Sequence, residues 1–238
     1  MKYTSPIGKF SAAALIAGFV LTFSTAVNVQ AQIVVPGNGS GAPTGYNLYN
    51  ANNVPGFSIT NGNLVFSDFT AVEKSLAIGL SGTAIDTYNA NGIEFQSGVW
   101  TVDPGTNYDL SISFIVSALN GSPITDVGAA LQATPPTSPG MISVDETIST
   151  VGPGGSIGNS IGALALLAGG IQSTNVELNP SYSSLYIYKD FKMDNQTATS
   201  GTLNASDIIQ TYVTPEPSTC AMLVSGLAGL GFMIRRRK

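Results

Sequence analysis

Between Tyr108 and Ala118 the chain alternates with a period of two. Tyr108, Leu110, Ile112, Phe114 and Val116 fall on one face, and Asp109, Ser111, Ser113 and Ser117 on the other, with Ile115 the exception. A helix would scatter these two sets around its circumference, so the pattern demands a half-buried antiparallel strand. The same reading marks strands over 64–69, 76–80, 93–102, 127–133, 142–150, 176–178, 185–191 and 208–213. Asn61-Gly62, Asn91-Gly92, Asp103-Pro104-Gly105 and Asn120-Gly121-Ser122-Pro123 separate them as turns, and the proline-rich run 135–140 forces a longer loop. Many short strands with turns every eight to twelve residues, and no repeat of fixed period, argue for a sandwich rather than a solenoid or propeller. Gly98 inside one strand suggests a bulge. Residues 161–167 fit a short helix or a buried strand equally well. The expected core is Phe66, Phe69, Phe95, Trp100, Leu110, Ile112, Phe114, Val144, Leu185 and Ile187.

The two ends of the chain read differently from its middle. Lys2 and Lys9 precede an apolar run over 10–23, and a polar stretch then closes on Val29-Gln30-Ala31. A positive start, a short apolar core and small residues at −3 and −1 describe a secretory signal peptide, 1–31, cleaved after Ala31. Residues 32–45, rich in Gly, Pro and Ser, read as a flexible leader. At the far end Pro215-Glu216-Pro217 precedes an apolar stretch over 220–234, then Arg235, Arg236, Arg237 and Lys238. The stretch is short for a membrane helix, and the four cations are expected to stay cytoplasmic and cap it. The expected architecture is therefore all-β. A single antiparallel β-sandwich, 46–213, lies between a signal peptide and a C-terminal membrane helix within a tail, 214–238.

Charge and residue usage exclude several function classes. Between residues 32 and 217 lie three lysines (Lys74, Lys189, Lys192) and all 14 acids of the chain. So acidic a body has the wrong sign for nucleic acid. The chain has no histidine, which removes Ser-His-Asp and Cys-His catalysis and histidine zinc sites. Its one cysteine, Cys220, sits in the apolar tail, so the body has neither a thiol nor an internal disulfide. Asp145 and Glu146 are adjacent on an expected strand and should point to opposite faces, which is unsuited to an acid–nucleophile pair. Asp190, Asp194 and Asn195 lie close together without a recognisable calcium loop. No metal, cofactor or enzymatic activity is expected. Tyr182, Tyr186 and Tyr188 on or near one strand could stack on sugar rings.

The order Pro215-Glu216-Pro217, short Leu/Gly-rich apolar segment and Arg235–Lys238 cluster resembles the PEP-CTERM sorting signal, a region also labelled an ice-binding-protein C-terminal domain. That resemblance implies an exported protein held in the inner membrane and recognised by an exosortase at Pro215, Glu216 and Pro217. It also implies a cell-surface or extracellular-matrix destination among exopolysaccharide and biofilm. A second resemblance reaches inward. Small exported proteins of this kind share segments that here read Gly92-Ile93-Glu94-Phe95 followed by Trp100, Asp109 before a strand, Asp145-Glu146-Thr147, and Lys189-Asp190. It carries no activity. The alternative for the body is a carbohydrate-binding or adhesive module.

Overall fold

A computed structural model describes residues 32–34, 46–75, 80–98, 100–119, 121–136 and 139–215. The expected signal segment, the apolar stretch 220–234 and the cap Arg235–Lys238 lie outside them. The strands are β1 (Gln32–Val34), β2 (Tyr46–Asn47), β3 (Ser58–Asn61), β4 (Leu64–Ser75), β5 (Ala84–Tyr88), β6 (Gly92–Gln96) and β7 (Thr101–Val102). They continue with β8 (Asn107–Ala118), β9 (Ile124–Ala133), β10 (Met141–Val151), β11 (Ile157–Leu167), β12 (Ser173–Tyr182), β13 (Ser184–Asp194) and β14 (Leu203–Val213). One short helix, α1 (Leu48–Asn53), interrupts them, its first turn capped by Asn47 Oδ1 accepting from Asn50 N at 2.9 Å.

The strands form two antiparallel sheets. The first runs β1-β3-β4-β8-β13-β10-β11 and the second β12-β9-β14-β6-β5-β2, with β7 also paired to β14. One hydrophobic cluster joins their inner faces, and all ten expected core residues belong to it. Cross-sheet aromatic contacts tie the layers together: Phe66 of β4 meets Tyr212 of β14 at 5.7 Å, and Phe95 of β6 meets Phe114 of β8 at 5.9 Å. The alternation over 108–118 is realised as β8, a central strand. Ile115 faces outward with the serines yet is buried. The short turn at 153–155 reaches over it, so that a Cβ added at Gly155 would lie 3.6 Å from Ile115 Cδ1.

Several elements differ from the sequence reading. The ambiguous 161–167 belongs to β11, at the edge of the first sheet, where every other residue is exposed. The expected strand over 93–102 stops at Gln96 and resumes at Thr101, both parts pairing with β14. Gly98 thus sits in a break between two strands rather than in a bulge within one. Ser97 N donates to Ser206 O and Ala205 N to Trp100 O across that break, turning the buried Trp100 into the core. In the expected strand over 76–80, residues 76–79 lie outside the described residues and Leu80 opens a 3-10 turn, Leu80–Gly82. Residues 32–34, read as leader, pair with 58–60 as β1. Pro180, which cannot donate to a ladder, is accommodated because β12 is an edge strand whose pairing lapses between Glu177 and Tyr182.

Buried polar side chains fasten the hairpins. The β3–β4 turn centres on Gly62, whose φ is +58° and where a Cβ would fall 2.0 Å from Ala90 O. Beside it the buried Asn61 donates to Asn89 O at 2.9 Å and Gly92 O at 2.8 Å. One amide thus holds the β3–β4 turn of one sheet against the β5–β6 turn of the other.

Candidate functional site

Four regions hold the chemistry of the described chain. The first is the exit of the last strand. β14 is flanked by β9 and β6, which makes it an interior strand of its sheet. Its final residue, Val213, pairs with Asp126 and accepts a hydrogen bond from Thr125 Oγ1 at 3.1 Å. Thr214 is still buried, and Pro215 is already partly exposed. Of the expected sorting residues, Pro215 therefore follows the fold with no intervening spacer, while Glu216 and Pro217 lie outside the described residues.

The second region is the outer face of the first sheet. Tyr186 and Tyr188 lie side by side on β13 and both point outward. Ser113 and Thr147 flank Tyr188 on the neighbouring strands, and the Tyr188 hydroxyl donates to Ser111 Oγ at 3.1 Å. Tyr182 is not with them. It ends β12 of the other sheet, opposite Ile124, and packs half-buried against the core. Two residues beyond Tyr188 the face becomes ionic. Lys74 Nζ lies 3.3 Å from both Asp109 Oδ1 and Asp190 Oδ1, and Lys192 also pairs with Asp190. Burial pushes the Asp190 carboxyl up, but its bonds to Lys192 and then Lys74 outweigh that and hold it below its ordinary value. Asp190, Asp194 and Asn195 do not converge as a cage. Asp190 is engaged by lysines, Asp194 Oδ1 accepts from Gln196 N, and Asn195 turns inward to donate to Val102 O and Gly201 O. Among the described residues no group of three or more acidic, histidine or cysteine side chains could hold a metal ion.

The third region is inside the sandwich. As strand alternation requires, Asp145 is exposed and Glu146 points inward, where it is 2% exposed. Directly across from it on β13 is Lys189, 0% exposed, and the two form an ion pair between Lys189 Nζ and Glu146 Oε2. From the opposite sheet Gln210 of β14 donates Nε2 to Glu146 Oε1 at 3.1 Å. Tyr212, two residues further on the same face, is fully buried. Burial first, and the Glu146 charge second, push its phenol well up. Sequence reading put Asp145 and Glu146 on opposite faces without saying which faced inward, yet the signal was present. Ile142, Val144, Glu146 and Ile148 share one phase of β10, and Leu185, Ile187, Lys189 and Phe191 share one phase of β13.

The sequence reading also missed carboxylates meeting on the outer face of the second sheet. Glu94 of β6 stands opposite Asp86 of β5, and burial first, then the charge of Asp207 and that of Asp86, raise its carboxyl. An open polar groove of about 650 Å³ lies further along this sheet, lined by Ser97, Thr101, Gln132, Gln172, Asn204 and Ser206 among others.

Comparison with known proteins bears on the exit of β14. Residues 213–238 match the family described as PEP-CTERM protein-sorting motif. The chain carries a PEP-CTERM protein-sorting motif. The motif begins at Val213, the last residue of β14, so the sorting tail leaves directly from an interior strand. It implies export, membrane-anchored sorting and processing by an exosortase. No curated protein matches the chain significantly. Two solved structures share a distant likeness. TmCBM61 in complex with beta-1,4-galactotriose is 10% identical, with 63% of this chain and 90% of that one covered and a TM-score of 0.32. The C-terminal domain of a chitobiase from Bacteroides fragilis is 13% identical, with 67% and 99% covered and a TM-score of 0.28. Among the described residues no helix is long and apolar enough to cross a membrane.

Proposed function

We propose that this chain is a non-enzymatic surface or matrix protein. A signal peptide, 1–31, directs it across the inner membrane. The apolar stretch 220–234 and its cap Arg235, Arg236, Arg237 and Lys238 hold it there, and an exosortase acts at Pro215-Glu216-Pro217. The observation that carries this reading is the junction between fold and motif: Thr214, the last buried residue among those described, falls inside the matched tail. Processing at Pro215–Pro217 would free the folded body without cutting into it. The excess of acids would keep that body hydrated among exopolysaccharide. The reading is tested by fractionating cells with and without exosortase. Retention of the protein in the inner membrane when the exosortase is deleted is the expected result, and an unchanged distribution would refute it.

A second reading, a carbohydrate-binding or adhesive module, rests on the shared exposed face of Tyr186 and Tyr188. Their rings present apolar surface beside hydroxyl side chains, a combination suited to sugar stacking. A glycan array probed with the protein checks it. Binding that disappears in Tyr186→Ala and Tyr188→Ala supports the reading, and uniformly blank wells end it.

A further inference from the structure

The interior cluster combines three groups that rarely meet without water. The Glu146 carboxylate joins an amine and a carboxamide, Lys189 Nζ at Oε2 and Gln210 Nε2 at Oε1. Val144, Ile148, Ile187, Phe191 and Ile208 flank them along the three strands, each of them fully buried. Among the described residues Gln210 Oε1 and the Tyr212 hydroxyl, both buried, have no hydrogen-bond partner. A buried ion pair is poor evidence of stability, because desolvation offsets most of the attraction. Two unpartnered polar atoms beside it add a further cost. As a structural device alone the cluster is expensive, whereas as a reactive one its parts are complementary.

We propose that Lys189 and Gln210 form a covalent amide cross-link between the two sheets, with Glu146 carrying the protons. Within a pair shielded from water, moving one proton from Lys189 Nζ to Glu146 Oε2 cancels both charges and leaves a nucleophilic amine. The Nζ lone pair adds to Gln210 Cδ while the carbonyl electron pair moves onto Oε1. Tyr212, two residues along the same face, is the donor we assign to that oxygen as it gains charge. Glu146 delivers its proton to Nε2 and accepts one from Nζ. The Cδ–Nε2 bond breaks and nitrogen leaves as ammonia, taking up the remaining proton as ammonium. An ammonium and a carboxamide have become a secondary amide and an ammonium ion, Glu146 is again a carboxylate, and no oxidant or cofactor is consumed.

The position suits an anchored protein. The one cysteine, Cys220, lies beyond the sandwich, so no disulfide within the body can restrain it. Gln210 is three residues before the sorting motif, on the strand from which the tail departs. Lys189 is on β13, an interior strand of the other sheet. A bond between them would stop β14 from peeling out of the sandwich when the tail is pulled.

Mass spectrometry of the full chain, purified in detergent and digested in denaturant, tests this. The expected result is a branched peptide joining Lys189 to Gln210, lighter than its two linear parts by one ammonia, about 17 Da. In Glu146→Gln the same peptides are expected to be linear. Linear Lys189 and Gln210 peptides at full mass in the unaltered protein would overturn the proposal, whether or not the variant folds. So would a loss of one water, about 18 Da, mapped to Lys189 and Glu146, which would assign the bond to the carboxylate instead.

Discussion

Lys189 and Asp190 are neighbours in sequence, as are Asp145 and Glu146, yet each pair is divided between two environments. Asp190 looks outward and shares its carboxylate with Lys74 and Lys192, both more than two-fifths exposed. Lys189 and Glu146 look inward and meet where water does not reach. The same residue types therefore carry different energies according to one step of strand phase. Outside, solvent screens the attraction and the network is worth little. Inside, losing one partner strands the other as an uncompensated charge.

This contrast can be broken experimentally, and the largest effect belongs to the interior. With Gln210→Met as the reference that cannot be cross-linked, adding Glu146→Ala or Lys189→Met is expected to lower the unfolding free energy by about 3–5 kcal/mol, read from denaturant titrations. A loss under about 1 kcal/mol would place the pair with the surface network. Next comes a buried group without charge. Asn61→Ala removes the amide joining two hairpin turns and leaves Asn89 O and Gly92 O without their donor, at an expected cost of about 2 kcal/mol in the same titration.

The outer network should respond less and in a pH-dependent way. Asp190 is held below its ordinary value in the folded state, so its contribution is present above the unfolded value and lost as pH falls through the folded one. Asp190→Asn is expected to cost about 1 kcal/mol or less at neutral pH. The difference from the unaltered protein should vanish below the folded Asp190 value. The smallest effect has the opposite sign. Glu94 is raised, so its charged form opposes folding above its folded value and the penalty is relieved as pH falls through it. Glu94→Gln should raise the melting temperature at neutral pH by about 1 °C, and the gain should disappear in acid.

The divide between inside and outside also governs how far the sequence could be read. Alternating apolar residues announced β8 and named a core of Phe, Leu and Ile positions that the two sheets bury together. Their period depends only on the backbone pleat, which local sequence carries. Ile115 was out of phase because what covers it, the turn at 153–155, is remote in sequence. Residues 161–167 were undecidable because the segment is Gly, Ala, Leu and Ile throughout, so its sequence shows no polar alternation although its burial does, and a brief apolar run fits a helix as well. The inward charge of Glu146 and Lys189 stood in phase with its neighbours, but the usual exposure of acids and lysines masked it until the cross-strand register brought the two together. Tyr182 separated from Tyr186 and Tyr188 because a change of sheet falls between them, at Ser183. The sorting tail was legible from its three parts in order, since a membrane signal needs no tertiary fold to be recognised.

Export and sorting through the tail are tested most directly by mapping both termini of the protein recovered from native envelope and medium. The account predicts an N-terminus at Gln32 and a C-terminus between Pro215 and Pro217, immediately beyond the buried Thr214. A C-terminus still at Lys238, in cells that possess an exosortase, would contradict it.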